Sequence, residues 1–300
     1  MSKIAFFGLP LAALLLRADD HEIAYAGICR KDAIGNRRLA RTAACPVELV
    51  PNLTSAKTVA TIERASPDLI VSWFWTKKIP RHILAIPKLG AIGVHPSLLP
   101  RHRGPDPYFW AIASGDRETG VTAHRLDEEY DTGEVIDQVT LAIDPKWNAW
   151  TLAKKLDRPS LELLRRVVKD IARTDRIESR PQSETGATDA PAPSDDDLLL
   201  SFDAPAEEIV RRVRAAGPWP GAFFDFGGRL VTVTRAHVAF RDTSMLAPGE
   251  AAIVDGEFVV RARDAGVVVD EARDENDETL GKKGLLALFG SIVELEKKRL

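Results

Sequence analysis

The chain has 300 residues, 45% of them hydrophobic and 28% charged, which excludes a disordered protein and leaves room for a large and a small domain. Its 41 basic and 44 acidic residues give a net charge of −3, which argues against binding to nucleic acid through a broadly basic surface. Two cysteines are too few for a disulfide framework and favour a reducing, cytoplasmic setting.

The apolar run Ile4–Leu16 is the most hydrophobic stretch near the N-terminus. It is 13 residues long and contains Gly8 and Pro10, whereas a membrane-spanning helix needs about 20 apolar residues. Arg17 and Asp19 follow it without the small-residue cleavage site of a signal peptide. The run therefore predicts a buried strand, a turn and a helix, and no membrane association.

Strand-like and helix-like segments alternate over the first half of the chain. The predicted strands are Ile4–Phe7, His21–Cys29, Leu69–Trp75 and Ala91–Val94, and Ser55–Ala65 is a predicted helix. Strands that are separated by helices indicate βαβ units and a mostly parallel sheet. We therefore predict an α/β fold over residues 1–178, with ligands at the carboxyl ends of its strands.

The second half changes character twice. Trp150–Thr174 has helical periodicity, and Pro159 within it predicts two helices or a kink. Residues 179–197 are rich in Pro, Ser, Thr and Asp, which predicts a linker or strap. Residues 198–300 begin with the predicted helix Ala206–Ala216, and the short strands after it predict a small barrel or sandwich. These strands are Ala222–Phe226, Leu230–His237, Ala251–Val254, Phe258–Arg261 and Gly266–Val269.

Common catalytic motifs are missing from the sequence, which has no G-x-G-x-x-G, P-loop, H-E-x-x-H or G-x-S-x-G. The six histidines are scattered, so no metal site is predicted. One dense stretch, residues 91–136, places His95 after a predicted strand and Asp131 in an Asp-Thr-Gly turn. These two side chains can meet in an α/β cleft, although each alone is more often structural. We interpret His102 and His124 as structural.

Residues 91–136 resemble the signature of 10-formyltetrahydrofolate-dependent formyltransferases of the methionyl-tRNA formyltransferase-like group, which includes sugar-nucleotide N-formyltransferases. The matching residues are His95, Ser97-Leu98-Leu99-Pro100, Arg103-Gly104, Thr119-Gly120-Val121-Thr122 and Asp131-Thr132-Gly133. Parts of residues 180–221 resemble the strap and C-terminal domain of the same family. The resemblance implies a Rossmann-like formyltransferase domain in 1–178, a linker in 179–197 and an OB-like barrel in 198–300.

The resemblance also implies the site. The family's catalytic triad is Asn, His and Asp, which correspond here to Gly93, His95 and Asp131, so the Asn is replaced by a glycine that is expected to leave open space beside His95. The formyl donor is 10-formyltetrahydrofolate, and Arg101 and Arg103 are expected either to hold an anionic group of the acceptor or to form a solvated loop. The residues expected to hold the folate are Ser97, Leu98, Leu99, Pro100, Tyr130, Thr132 and Gly133, with Trp73, Phe74 and Trp75 as apolar walls or as core.

The acceptor is the open question within this family. Residues 198–300 contain 14 basic and 17 acidic residues, a charge balance that does not favour binding of tRNA. The basic run between Arg30 and Arg41 argues the other way. We predict a small-molecule amine, such as an amino-sugar nucleotide or an amino-acid derivative, with methionyl-tRNA as the alternative. A formyltetrahydrofolate hydrolase or, because of Gly93, a non-catalytic folate-binding protein are further alternatives.

Overall fold

The computed structural model describes residues 1–226, 228–289 and 293–295, and it divides into two compact units. The first unit consists of Met1–Pro107, Glu118–Ala142 and Lys154–Pro191. The second unit consists of Tyr108–Arg117, Ile143–Ala153 and the described residues from Ala192 onward. Residues 179–191 of the predicted linker thus belong to the first unit. Cys29 and Cys45 are free thiols.

Seven strands and six helices precede residue 180. The strands are β1 (Lys3–Gly8), β2 (Glu22–Ile28), β3 (Val47–Leu49), β4 (Leu69–Trp73), β5 (Ala91–His95), β6 (Glu118–Arg125) and β7 (Val135–Ala142). The helices are α1 (Pro10–Ala18), α2 (Asn36–Thr42), α3 (Ala56–Ala65), α4 (Arg81–Leu84), α5 (Pro107–Ala113) and α6 (Ala149–Thr174). The apolar run near the N-terminus forms β1, a turn and α1, as predicted.

The strands form one mixed sheet in the order β3-β2-β1-β4-β5-β6-β7. The pairs from β3 to β5 are parallel, whereas β5–β6 and β6–β7 are antiparallel. The α/β architecture is confirmed. Most strand pairs are parallel, as predicted, but the two antiparallel pairs were not predicted. β7 was not predicted because most of its residues are only half-buried, and Asp137, Gln138 and Thr140 interrupt its hydrophobic signal.

The core of the first unit surrounds the central strands. β4 is buried along its whole length, and Ile4, Phe6 and Phe7 of β1 are completely buried. Gly8 ends β1 at φ 140°, where an added Cβ would lie 1.8 Å from the Trp73 carbonyl oxygen. Only glycine permits this close approach between the carboxyl ends of β1 and β4.

Helix α6 is a single element of 26 residues that runs through Pro159, so of the two predicted alternatives, two helices or a kink, the first is wrong. Buried apolar residues precede and follow the proline, including Leu152, Leu156, Leu163 and Val168. Their packing keeps both segments in one helix although the proline lacks a hydrogen-bond donor. Within the described part of the chain, we find no helix that is both long enough and apolar enough to span a membrane.

The second unit contains the remaining elements. Its helices are α7 (Asp195–Leu198), α8 (Ala206–Ala216) and α9 (Lys282–Phe289). Its strands are β8 (Ala222–Phe226), β9 (Arg229–Val238), β10 (Ala251–Val254), β11 (Glu257–Arg261), β12 (Gly266–Arg273), β13 (Thr279–Leu280) and β14 (Val293–Leu295).

The strands of the second unit form a second sheet in the order β14-β10-β11-β12-β9-β8, with β13 paired to β12. All five strands predicted after α8 are present. In the residues that the structure describes, β14 and β8 remain at opposite ends of this order, so the sheet is not closed. The predicted OB-like barrel is therefore not confirmed, whereas the coarser prediction of a β-rich C-terminal domain is confirmed.

Candidate active site

His95 is the last residue of β5 and lies at the carboxyl end of the sheet, next to β4. Its side chain is only 7% exposed. The ring nitrogen Nε2 lies 2.7 Å from the His102 carbonyl oxygen. Because a carbonyl oxygen can only accept a hydrogen bond, Nε2 carries a proton in this contact. The fold therefore fixes both the orientation of His95 and one of its protons.

Asp131 lies in the turn between β6 and β7, where it adopts a left-handed conformation with φ 57°. The turn packs closely on β6, since a Cβ on Gly133 would lie 1.9 Å from the Arg125 carbonyl oxygen. Gln182 Nε2 donates to the carbonyl oxygens of Asp131 and Gly133 at 2.8 and 2.7 Å. The Gly104 amide donates to Asp131 Oδ2 at 2.9 Å. These contacts hold the carboxylate in place.

The structure brings the two predicted catalytic side chains together. His95 Nδ1 lies 3.4 Å from Asp131 Oδ2, and the Asp131 side chain is 18% exposed. A carboxylate in this position orients the imidazole and stabilises its protonated form. The pair can therefore take up or release a proton at a defined place on the edge of the sheet.

His124 also meets Asp131, although we interpreted it from sequence as structural. Its Nε2 lies 3.5 Å from Asp131 Oδ1, and its Nδ1 lies 2.8 Å from the Arg125 carbonyl oxygen. Burial lowers the pKa of His124, and His95 lowers it further, while Asp131 raises it. The alternation of polar and apolar side chains along β6 was a sequence signal, but it identifies His124 only once the antiparallel pairing with β5 is known.

Gly93 is buried on β5 and pairs with His124 on β6. A Cβ at position 93 would lie 2.8 Å from Leu126 Cδ2 and 3.6 Å from His124 Nε2. The expected open space beside His95 is therefore not empty, because Leu126 and His124 occupy it. The reason is the antiparallel β6, which the sequence pattern did not predict.

The loop after His95 is held from behind by two polar side chains. Thr122 Oγ1 donates to the Ser97 carbonyl oxygen at 2.7 Å and accepts from the Leu99 amide at 3.1 Å. Gln138 Nε2 donates to the Leu99 carbonyl oxygen at 2.9 Å. Ser97 and Leu99 are buried, whereas Leu98 and Pro100 are half-buried. The predicted folate loop is thus rigid, and only part of it offers side-chain surface.

The three aromatic residues at the end of β4 separate into two roles. Trp73 is a core residue, 4% exposed, whose Nε1 donates to Ser160 Oγ at 3.0 Å. Phe74 is half-buried at φ 58°, a left-handed conformation that a large side chain rarely adopts. Trp75 is half-buried, and its buried Nε1 has no hydrogen-bond partner in the described residues. Trp73 is therefore a core residue, Trp75 packs in part against the core at Phe7, and Phe74 and Trp75 retain accessible surface.

The other residues predicted on the turn are more exposed. Tyr130 is 48% exposed, and Lys78 Nζ lies 5.1 Å from the centre of its ring. The Thr132 hydroxyl donates to the Asp127 carboxylate. Thr132 therefore shapes the turn, and Tyr130 offers an aromatic face.

Arg103 is tied to the segment 179–191. Its guanidinium donates to Gln182 Oε1 at 2.9 and 3.1 Å and to the Glu184 carboxylate at 3.1 and 3.2 Å, and its side chain is 11% exposed. The Arg103 guanidinium is thus bonded within the protein. This matches neither of the two predicted roles, which were contact with an acceptor and a solvated loop. Arg101 is half-buried, and its backbone is fixed by bonds to Leu98 and Ser97. In the described residues we find no group of His, Cys, Asp and Glu that could hold a metal ion.

Known protein families match most of this chain. A model described as formyl transferase matches residues 2–168, and a model described as formyl transferase C-terminal domain matches residues 194–289. The methionyl-tRNA formyltransferase of Myxococcus xanthus is 37% identical over 200 residues, which cover 67% of this chain and 64% of that protein. The methionyl-tRNA formyltransferase of Thermus thermophilus is 34% identical over 284 residues, which cover 90% and 88%.

Solved structures share the fold at lower identity. The N-formyltransferase of Helicobacter canadensis, in complex with folinic acid and dTDP-3-aminofucose, has a TM-score of 0.68 at 15% identity and covers 90% of this chain and 99% of that one. HypX from Aquifex aeolicus, in complex with tetrahydrofolic acid, has a TM-score of 0.64 at 22% identity and covers 99% of this chain and 50% of that one.

Proposed function

This chain belongs to the formyl transferase family, and we propose that it transfers a formyl group from 10-formyltetrahydrofolate to a primary amine. The observation that carries the proposal is the buried pair of His95 and Asp131 at the carboxyl end of β5, with 3.4 Å between Nδ1 and Oδ2. Open α/β sheets bind their ligands at this edge. The pair supplies the proton chemistry that an amine acceptor and a folate donor need.

The roles of the pair follow from the reaction. A neutral amine attacks the formyl carbon, negative charge develops on the formyl oxygen, and N10 of the folate leaves with a proton. His95 carries a proton on Nε2 and can donate it to the formyl oxygen in place of the His102 carbonyl. Asp131 orients the ring and stabilises its charged form. Where the family has an asparagine amide, Gly93 offers no side-chain donor.

The residues around the pair fit a flat heteroaromatic ring with polar edges. Phe74, Trp75 and Tyr130 have accessible aromatic surface, and the buried Trp75 Nε1 is a donor without a partner in the described residues. Leu98 and Pro100 add apolar surface on the loop. We propose that these five residues hold the folate, and that the buried residues Trp73, Ser97 and Leu99 support them from behind.

We favour a small amine, such as an amino-sugar nucleotide, as acceptor. The acidic balance of residues 198–300, 14 basic against 17 acidic residues, supports this choice because tRNA binding depends on phosphate neutralisation. The fold shared with sugar N-formyltransferases is compatible with it.

Methionyl-tRNA is the second candidate acceptor, and two observations favour it. The relatives that are 30–37% identical are named methionyl-tRNA formyltransferases. Arg37, Arg38 and Arg41 are exposed on or beside α2 and form a small basic surface in the first unit.

The deciding experiment presents charged initiator tRNA, amino-sugar nucleotides and amino acids to the protein with 10-formyltetrahydrofolate and measures release of tetrahydrofolate. A small-amine enzyme should lose little activity between low and moderate salt, whereas tRNA binding should weaken steeply, because phosphate contacts release counterions. Robust formylation of tRNA at physiological salt, lost on charge reversal at Arg37 and Arg38, would select the second candidate. Tetrahydrofolate release without any amine would indicate a hydrolase, and folate binding without turnover would indicate a binding protein.

A further inference from the structure

The second oxygen of the Asp131 carboxylate faces a residue that the proposed reaction does not use. His124 Nε2 lies 3.5 Å from Asp131 Oδ1, on the other side of the carboxyl group from His95. Its side chain is only 3% exposed. An imidazole that is removed from water in this way needs a partner for each polar nitrogen.

The proton positions on the two rings follow from their outer contacts. His124 Nδ1 lies 2.8 Å from the Arg125 carbonyl oxygen, and His95 Nε2 lies 2.7 Å from that of His102. Carbonyl oxygens only accept, so both outer nitrogens carry protons. Each ring therefore presents its remaining nitrogen to the same carboxylate. If both rings were neutral and Asp131 ionised, a lone pair would face a lone pair in both contacts.

One further proton can satisfy one of these two contacts at a time, so the rings compete for it. Burial is the largest influence on His124 and lowers its pKa, His95 lowers it further, and Asp131 and Asp127 raise it. Burial thus disfavours the added proton on His124, and a proton on His95 disfavours it further.

The sheet register explains why His124 can take this place. Gly93 pairs with His124 and His95 pairs with Thr122 across β5 and β6, so these four residues share one face of the sheet. A Cβ at position 93 would lie 3.6 Å from His124 Nε2, which is ordinary contact distance. The imidazole of His124 thus stands beside the position where the family pattern has its asparagine.

We propose that His124 is a positioning residue that faces Asp131 Oδ1 and is coupled to His95 through this carboxylate, so that a proton on one ring disfavours a proton on the other. The proposal rests on the proposed formyl transfer for its catalytic meaning. The transfer is neutral in protons, because the amine loses one as its bond to the formyl carbon forms and N10 gains one as its bond breaks. His124 therefore supplies no net proton, and its effect is to set where the shared proton lies between turnovers.

The first test is a proton NMR titration of the His124 ring in the protein without substrates. In the His95→Gln variant the amide can still bond to Asp131 but does not titrate, so a proton at position 95 no longer opposes protonation of His124. We expect the His124 midpoint to rise by about one pH unit, the size typical of coupled sites. His237→Gln is the matched control, since it removes a histidine that contacts Asp270 in the second unit. An unchanged His124 midpoint in His95→Gln would overturn the proposal.

Asp131→Asn covers the case in which His95→Gln does not fold. Because the Asp131 charge raises the pKa of His124, neutralising this side chain should lower the His124 midpoint. A His124 titration that is unaffected by Asp131→Asn would also overturn the proposal.

The second test is the pH profile of formyl transfer in His124→Gln. We expect the acid limb of kcat/KM to shift, because an amide replaces a titrating group beside Asp131, while KM changes less than about twofold. A purely structural role would lower kcat at every pH, together with Tm, and would leave the acid limb in place. If the native protein transfers no formyl group, the proposed function fails, but the NMR titrations still decide the coupling.

Discussion

Two histidine–aspartate pairs of the described chain differ sharply in their surroundings. In the second unit, His237 Nδ1 lies 3.0 Å from Asp270 Oδ2, and the two side chains are 39% and 25% exposed. In the first unit, His95 Nδ1 lies 3.4 Å from Asp131 Oδ2, and the exposures are 7% and 18%. The exposed pair is the closer one, so distance does not distinguish the candidate active site from a surface contact.

The difference lies in how each pair is held. His95 and Asp131 are fixed by the His102 carbonyl and the Gly104 amide, at the carboxyl end of a buried strand. The pair in the second unit joins β9 to β12, in water, where such contacts contribute about 0–1 kcal/mol. A proton on the pair of His95 and Asp131 is therefore held at one defined place, whereas a proton on the exposed pair exchanges with water.

The largest expected effect is therefore at Asp131. Asp131→Asn keeps the shape but removes the charge that orients and stabilises protonated His95, so kcat/KM should fall by roughly 10²–10⁴-fold. Asp270→Asn makes the same chemical change in the exposed pair and should leave turnover within about twofold of native. Steady-state kinetics with melting curves measure both variants. Near-normal turnover of Asp131→Asn would refute the catalytic role of the pair.

A smaller effect is expected at Gly93, because this residue lies beside the pair of His95 and Asp131 and is not part of it. In Gly93→Asn the new Cβ would lie 2.8 Å from Leu126 Cδ2, and the amide would enter the space that Leu126 and His124 fill. Overpacking of this kind costs about 1–3 kcal/mol of folding stability. It should also displace His124 from Asp131, so melting curves should show a lower Tm and steady-state kinetics a roughly tenfold lower kcat/KM.

The second substitution Leu126→Ala, made in Gly93→Asn, removes the closest contact and should restore part of that loss. Gly281→Asn is the control, since nothing lies within 4 Å of a Cβ there and its backbone is outside the left-handed region. A large gain in turnover from Gly93→Asn alone would show that the chain is a transferase lacking an oxyanion donor, and would contradict this interpretation.

The sequence predicted His95 and Asp131 because both stand in a spaced pattern with a family resemblance. It also predicted the buried parallel strands, whose continuous apolar runs such as Ile4–Phe7 need no knowledge of their partners. It did not predict the antiparallel pairing of β5 with β6, which depends on contacts distant in the chain. The role of His124 and the filled space at Gly93 both follow from that pairing. For this reason the sequence pattern alone led us to interpret His124 as structural.

Two arginines, one in each unit, provide a third contrast. Arg103, 11% exposed, bonds to Gln182 and Glu184, whereas Arg241 is 67% exposed in its contact with Asp255. Arg103→Ala should lower the free energy of unfolding by about 1.5–3 kcal/mol, and Arg241→Ala by less than about 1 kcal/mol, in urea titrations.

Arg103→Ala also tests the role that the sequence suggested for this residue. Because its guanidinium is committed to the segment 179–191, KM for the acceptor should change by less than about threefold. A much larger rise in KM, without a loss of stability, would return Arg103 to acceptor binding.

The smallest effect concerns the pH dependence of stability, which burial should produce at His124, beside the first pair. Burial lowers the folded pKa of His124 below its ordinary value of 6.5, so the unfolded chain binds this proton more readily. The free energy of unfolding should therefore be full above about pH 6.5 and decrease below it, by at most about 1.4 kcal/mol per pH unit for one proton. His124→Gln should flatten the decrease between pH 6.5 and 5, leaving the part that comes from His21, whose pKa burial also lowers. If urea titrations give His124→Gln the native slope, His124 is not a buried neutral imidazole in the folded protein, and the contrast between the two pairs loses its electrostatic basis.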